Sequence, residues 1–309
     1  MTHNEHIVPV GYLKQFADNS YKKQPHIFQY DTTHDVPYMN NPVPLNSIEY
    51  EYDLYEHKLS NGQYFLPNAS ELSLKSIEDS FYRCRNQIIQ KTHIVNFLCE
   101  NFLTLQEQGY LILMIASQIL RYPEILSESI SFYKDVFRSA KPETQKILAK
   151  MMCIPTWIRY PHNIIQNQAI RAFQQIANYP PVLMKLMENL GNLNLRIGYT
   201  STKNIVTCDR PIIAEVENGY FTNIIYPIAP THVVYMFHEA IIPKFNNTIF
   251  VMNDEQIQFV NNYLFINANR WIYKQTNFQQ KEIQQIENQR KTRIKTIRHI
   301  ANKRERDLL

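Results

Sequence analysis

The chain of 309 residues is long enough to bury a large core, and its 44% hydrophobic content excludes a largely disordered protein. A net charge of +4, from 32 basic and 28 acidic residues, is too small to indicate a nucleic-acid binder by itself. The longest strongly apolar run, 110–116, is shorter than the roughly 20 residues of a membrane-spanning helix. The N-terminus shows no secretory signal, so we expect a cytoplasmic protein without a membrane partner.

The first predicted element follows a short motif that begins at His6. Apolar and polar residues alternate over His26–Asp31, which predicts a half-buried strand, and the prolines at 37, 42 and 44 predict a loop after it. Because the pKa of histidine lies near neutrality, His6 is a candidate general base or metal ligand. The alternative is a histidine that caps or packs.

A long amphipathic helix is predicted after Ser70, which would be its N-cap. Apolar residues at 74, 77, 81, 84 and 88 recur at spacings of three and four, as on one face of a helix. Glu78 lies on this apolar face, where an isolated charge is costly. We therefore expect either a catalytic carboxylate or a structural ion pair with Arg85 or Arg121.

A second helix is predicted from Val95 to Arg121, because Pro123 disfavours helix at the residue before it. Gln118 and Arg121 are three residues apart and lie on one face of this helix. The planar guanidinium of arginine suits a carboxylate or a phosphate, so both residues are candidate substrate-binding residues. The alternative is that Arg121 pairs with Glu78 or Asp209.

The pattern changes from helical to alternating after Gly198. Further helices are predicted at about 124–138, 142–153 and 161–190, and strands at 204–208, 212–216, 220–226, 232–237 and 248–252. Asn218-Gly219 is a strong two-residue hairpin signal, and Asn253 is predicted to cap a helix with apolar residues on two sides. The predicted fold class is α+β, with a mainly helical centre and a small, mostly antiparallel C-terminal sheet on which a buried helix packs.

Asp209 lies where a predicted strand ends and a turn begins, in the stretch Thr207–Pro211. Such positions often carry functional groups, so Asp209 is a third candidate catalytic residue, although aspartate is also routine in turns. The sequence names no cofactor. A divalent metal bound by the candidate acids stays an open alternative.

Most of the excess positive charge lies in residues 281–309. Isoleucines recur on one face of this segment, which predicts a basic amphipathic helix or tail outside a single globular domain of residues 1–280. The helix could dock on the body or pair with a second copy in a homodimer. The alternative is an arm that contacts nucleic-acid phosphates through its basic residues, namely Arg290, Lys291, Arg293 and Arg298.

Three separated motifs, taken together, resemble the Domain of Unknown Function 4238 (DUF4238) family, which is widespread in bacteria. They are His6-Ile-Val-Pro9 with Tyr12-Leu13, Gln118-x-x-Arg121-x-Pro123 and Thr207-Cys-Asp-Arg-Pro211, followed by Pro227-Ile-Ala-Pro230. The resemblance runs from His6 to about Tyr273. The chain departs from the family pattern at Cys208 and Ala229, where serine is usual.

The resemblance implies no reaction, but some family members are single-gene antiphage systems. It therefore implies a bacterial defence protein, an effector that acts on nucleic acid and has a phage protein as its trigger. In a nuclease, His6, Glu78 and Asp209 would act as acid, base or metal ligands, and Gln118 and Arg121 would hold a phosphate. The alternative is a noncatalytic sensing or interaction protein whose polar motifs are structural.

Overall fold

The computed structural model describes residues 4–21, 24–33, 42–48, 50–52, 57–58, 64–65, 69–92, 99–122, 181–217, 220–238, 246–289 and 291. The helices in these ranges are α1 (Val10–Leu13), α2 (Ala69–Thr92), α3 (Leu105–Leu120), α4 (Pro181–Gly191), α5 (Asp254–Asn267) and α6 (280–289). None of these described helices is long and apolar enough to cross a membrane.

The described strands fall into two main sheets and two short pairs. They are β1 (Asn4–His6), β2 (His26–Asp31), β3 (Pro42–Pro44), β4 (Tyr50–Tyr52), β5 (His57–Lys58), β6 (Tyr64–Phe65), β7 (Cys99–Glu100), β8 (Asn194–Tyr199), β9 (Thr207–Cys208), β10 (Ile213–Glu217), β11 (Tyr220–Ala229), β12 (His232–Phe237), β13 (Thr248–Val251) and β14 (Trp271–Lys274).

Within the described ranges, the larger sheet has six strands in the order β10-β11-β12-β8-β13-β7. The smaller sheet has four, in the order β3-β2-β14-β9, and β1–β4 and β5–β6 form the two short pairs. Strand β13 runs parallel to β8, whereas the other described neighbours are antiparallel.

The larger sheet is covered on both faces, and neighbouring residues of a strand point into different cores because they point to opposite sides of the sheet. Tyr226 of β11 lies in a first core that includes Phe81 of α2 and Met114 of α3. Tyr235 of β12 lies in a second core with Val260 of α5. Each fully buried apolar side chain of this kind stabilises the fold by about 1.5–3 kcal/mol, so both helical layers hold the sheet.

The predicted fold arrangement, a mainly helical centre with a small C-terminal sheet, is wrong. The larger sheet takes its edge strand β7 from the centre of the chain, and the smaller sheet contains β2 and β3 from the N-terminal part. The described centre contains α2 and α3, and the helices predicted between 123 and 180 lie outside the described residues. Alternation predicted β2 but missed β3 and β7, which are only three and two residues long.

The predicted helix boundaries also need correction. Helix α2 begins at Ala69, so Ser70 is not its N-cap, and α3 begins at Leu105 rather than Val95. Asn253 does cap α5, as expected, through a bond from the Gln256 amide. The prediction that α5 is buried on two sides is wrong, since Phe259 is 48% exposed, and Tyr263 and Ile266 are only half-buried.

The C-terminal segment begins as helix α6, which packs on the body. Ile283 and Ile286 of α6 are buried in the second core, and Gln285 donates a hydrogen bond of 2.6 Å to Asn262 of α5. Lys291 is exposed, whereas Arg290, Arg293 and Arg298 lie outside the described residues. The domain boundary at 280 and the nucleic-acid role of this segment remain predictions.

Candidate functional site

Helices α2 and α3 are joined by an ion pair on the side that faces the larger sheet. Arg121, the C-cap of α3, donates from Nη2 to Oε1 of Glu78 at 2.5 Å. Tyr82 donates its hydroxyl to the other oxygen of Glu78 at 3.1 Å. The Arg121 side chain is 2% exposed and that of Glu78 is 19% exposed, so the pair reaches solvent on the Glu78 side.

Arg85 lies seven residues after Glu78 on α2 and is buried. Its Nη1 donates to the carbonyl of Gly11 at 3.3 Å, and its guanidinium lies 4.9 Å from the centroid of the Tyr82 ring. Among the described residues, no carboxylate pairs with Arg85 and its Nε has no hydrogen-bond partner. Burial lowers the pKa of Arg85 to about 10, because removal of water disfavours the charged form.

Two stacked tyrosines lie beside the arginines, with the rings of Tyr12 and Tyr226 5.4 Å apart. The Tyr12 hydroxyl donates to the carbonyl of Pro227 at 2.7 Å and therefore accepts from Thr207, also at 2.7 Å. The Tyr226 hydroxyl is buried and has no hydrogen-bond partner within the described part of the chain. Burial raises the pKa of Tyr226, so the hydroxyl remains a donor at neutral pH.

Gln118 fixes the N-terminal motif against α3. Its Nε2 donates to the carbonyl of Ile7 at 3.1 Å, while its Oε1 is buried and accepts no hydrogen bond from any described residue. The next part of the motif also fits closely, because a Cβ on Gly11 would lie 2.4 Å from the Tyr82 ring. Only glycine therefore allows this approach of the backbone to Tyr82.

We call these side chains the polar cluster: Glu78, Tyr82, Arg85, Arg121 and Tyr226. Gln118 lies three residues before Arg121, at the end of α3. Unbonded polar atoms that are buried cost about 1–3 kcal/mol each, so native proteins rarely leave them together. Here Arg85 Nε and the Tyr226 hydroxyl are donors and Gln118 Oε1 is an acceptor. The two donors suit an anion, whereas Gln118 Oε1 would need a separate donor.

Comparison with known proteins assigns the chain to a family. The sequence model of a family described as "Protein of unknown function (DUF4238)" matches residues 4–278. The chain belongs to the DUF4238 family. No curated protein and no solved structure shows significant similarity to it.

In this DUF4238 protein the three motifs meet at the polar cluster or next to it. The first contributes the Ile7 carbonyl and Tyr12, the second contributes Gln118 and Arg121, and the third contributes Thr207. His6 itself lies in β1, half-buried and paired with Tyr50 of β4. The resemblance seen in the sequence therefore corresponds to one region of the folded chain.

Asp209 serves a different contact network. Its carboxylate accepts backbone N–H bonds from Asn269, Arg270 and Trp271, at 2.9, 2.7 and 3.1 Å, where β14 begins. Burial raises the pKa of Asp209, and these hydrogen bonds oppose that shift only in part. These bonds hold the approach to β14 beside the third motif.

The predicted catalytic residues His6, Glu78 and Asp209 do not come together as a metal site. Among the residues that the structure describes, no three histidine, cysteine, aspartate or glutamate side chains come together as a metal site. The DUF4238 fold instead brings Glu78 to Arg121, which was one of the alternatives. The roles of His6 and Asp209 in catalysis remain predictions.

Sequence reasoning treated Arg85 only as a partner for Glu78 and did not single out Tyr226. The spacing of seven residues between Glu78 and Arg85 was visible, but it does not show which arginine Glu78 binds. Tyr226 reads as an ordinary apolar position of a strand, because its hydroxyl has a special environment only in the folded protein.

Proposed function

We propose that this DUF4238 protein is a bacterial antiphage defence effector that acts on nucleic acid in the cytoplasm. The defence role is supported by membership of the DUF4238 family, some members of which are single-gene antiphage systems. The substrate class is supported by the charge and geometry of the polar cluster. In this proposal the cluster holds a phosphate of the nucleic acid.

The main support for nucleic acid as the substrate class is that Arg85 is buried and has no carboxylate partner among the described residues. A charged group taken out of water is costly unless an opposite charge compensates it. Glu78 does not supply that charge to Arg85, since its two oxygens accept from Arg121 and Tyr82. A phosphate would complete the site, because arginine donors match its oxygens.

For a nuclease reaction, the cluster also needs a group that accepts a proton from the attacking water. Glu78 is the carboxylate of the cluster, and its 19% exposure leaves it reachable from solvent. We therefore assign this role to Glu78. His6 is a further candidate acid or base, whereas the backbone bonds of Asp209 favour a positioning role.

The test is protection of bacterial cells against a panel of phages, measured as efficiency of plating. Arg85→Met should abolish protection, because it removes the unpaired charge but keeps much of the side-chain volume. Arg83→Met is the matched control, since Arg83 is exposed on the same helix two residues away. If both variants still protect the cells, the proposed site is contradicted. If the intact protein protects against no phage of the panel, the defence role is contradicted.

The nuclease class is tested separately by the integrity of DNA and RNA in infected cells. Cleavage that depends on both the intact protein and Glu78 is the expected result, with Glu78→Gln as the variant. Protection without cleavage would favour the second candidate function, a noncatalytic sensing or interaction protein. That alternative is favoured by the backbone hydrogen bonds that Asp209 accepts from residues 269–271, because they give this motif residue a structural role. A phage protein as trigger and a homodimer through the C-terminal helix also remain proposals.

A further inference from the structure

A second candidate site lies on the other face of the larger sheet, next to α5. Strands β12 and β13 contribute Tyr235, Phe237 and Phe250, and α5 contributes Phe259, which is 48% exposed. Their side chains line an open groove of about 470 Å³, which we call the aromatic groove. This volume lies within the roughly 300–1,000 Å³ of small-molecule sites.

The aromatic groove is separate from the polar cluster. Tyr235 pairs with Ile225 of β11, one residue before Tyr226, and adjacent residues of a strand point to opposite faces. Tyr226 accordingly packs in the first core and Tyr235 in the second. The groove and the proposed phosphate site therefore share no side chain.

The walls of the groove are flat aromatic faces held in place by their neighbours. The rings of Tyr235 and Phe237 lie 5.8 Å apart at an angle of 16°, and the Phe250 ring lies 5.6 Å from Tyr235. Gly198 permits this arrangement, because a Cβ there would lie 2.7 Å from the Tyr235 ring. The rings thus form a prearranged surface on which a planar group can stack.

Polar groups of both signs lie at the edge of the same groove. The guanidinium of Arg196 lies 4.4 Å from the Phe250 centroid, and its Nε donates to Thr248 at 3.0 Å. Glu255 supplies acceptor oxygens, and Gln256 can donate through Nε2 because its Oε1 accepts from the Asn253 amide. Donors, acceptors and one charge of each sign therefore surround the aromatic walls.

We propose that the aromatic groove binds a nucleobase. A base has two flat faces that stack on aromatic rings and an edge with both donors and acceptors, which Arg196, Glu255 and Gln256 match. A bare phosphate fits poorly, because it cannot stack on the aromatic faces and the Glu255 carboxylate would repel it. A purely aliphatic group would leave the polar edge of the groove without partners.

The test uses Phe259→Trp as a fluorescent reporter, since position 259 is exposed and tolerates another aromatic ring. Titration with adenosine, guanosine, cytidine and uridine should quench the added fluorescence in a saturable way. The intact protein, which has two tryptophans of its own, gives the background signal. In the same reporter, Phe237→Leu should weaken binding of the preferred nucleoside about tenfold, as expected for loss of one stacking ring.

Two results would overturn the proposal. The first is the absence of saturable quenching with all four nucleosides. Binding of a short single-stranded oligonucleotide would not rescue the proposal in that case, because the affinity would come from the backbone phosphates. The second is a concentration-dependent dimer that Phe259→Asp dissociates, without nucleoside binding by the reporter, which would assign the groove to a second copy. Since nucleosides carry no phosphate, neither result depends on the fate of Arg85.

Discussion

At the scale of single residues, the stacked tyrosines Tyr12 and Tyr226 differ in the role of their hydroxyls. The Tyr12 hydroxyl is structural, whereas the Tyr226 hydroxyl is available to a ligand. The two rings are 5.4 Å apart and both are fully buried. The Tyr12 hydroxyl has two partners, Pro227 and Thr207, whereas that of Tyr226 has none among the described residues. The same chemical change at the two positions should therefore have different effects.

We expect Tyr12→Phe to lower the free energy of unfolding by about 1–2 kcal/mol, because two buried partners lose a hydrogen bond. Tyr226→Phe removes a hydroxyl without a partner and should leave stability unchanged or slightly higher, while it reduces antiphage protection. Urea unfolding of both variants measures the difference. Equal destabilisation of the two would show that the Tyr226 hydroxyl has a structural partner.

Two glycines give a second matched comparison. A Cβ on Gly198 would lie 2.7 Å from both Met252 and Tyr235, whereas a Cβ on Gly109 would meet no atom within 4 Å. Gly198→Ala should therefore destabilise the protein by about 1–3 kcal/mol. Gly109→Ala, within α3, should stabilise it by about 0.5–1 kcal/mol, since alanine favours helix. Thermal unfolding that ranks the two variants in the opposite order would contradict this packing.

At the scale of elements, α3 carries the second motif at its C-terminal end and begins with a capping box. Thr104 accepts from the Glu107 amide at 3.2 Å, and Glu107 accepts from the Thr104 amide at 2.8 Å. This signal is visible in the sequence as Thr104-x-x-Glu107, although the helix was predicted to start earlier, at Val95. Asn253 gave the equivalent signal for α5 and was predicted, because its cap directly precedes a clear helical pattern.

The stability of α3 should depend on pH through Glu107. Burial alone would raise the pKa of Glu107, but bonds from Lys91 and Thr104 outweigh it and lower the pKa. The ionised Glu107 carboxylate therefore contributes its full stabilisation above the ordinary pKa of glutamate, about 4.3. This stabilisation is lost as pH falls through the lower pKa that Glu107 has in the folded protein.

Urea unfolding of the intact protein and of Glu107→Gln, from neutral pH to about pH 3, measures this contribution. Glutamine can still accept the Thr104 amide, so the variant keeps the cap and loses the ionisable group and its pair with Lys91. The loss of stability with acid should be smaller in the variant. If the two proteins lost the same free energy of unfolding with acid, Glu107 would not contribute to the pH dependence of stability.

At the scale of the whole molecule, both sheets join segments that are distant in the chain. Strand β14 pairs with β2, and β7 pairs with β13. Alternation in the sequence predicted β2, β12 and most of β11, because it is a local property of each segment. It could not predict which strands become neighbours, or that Arg85 comes near Tyr226, because that proximity arises only when α2 packs on the sheet.

Helix α6 should unfold together with the rest of the protein. Ile286 is buried in the second core, while Lys281 on the same helix is exposed. Ile286→Ala should lower the stability of a single unfolding transition by about 2–5 kcal/mol, and Lys281→Ala should have almost no effect. Scanning calorimetry distinguishes the alternatives, since a separate low-temperature transition for the C-terminal segment would mean that α6 is not part of the body.

The measurement that tests the central claim most directly is the unfolding free energy of the intact protein and of Arg85→Met, with and without inorganic phosphate. Without phosphate, Arg85→Met should be as stable as the parent or more stable, because a buried charge without a carboxylate is replaced by an apolar group. Phosphate should stabilise the parent and leave the variant unchanged, as binding to the folded state requires. A variant that loses several kcal/mol without phosphate, yet gains as much stability from phosphate as the parent does, would show that Arg85 is structural and that the polar cluster does not hold the anion.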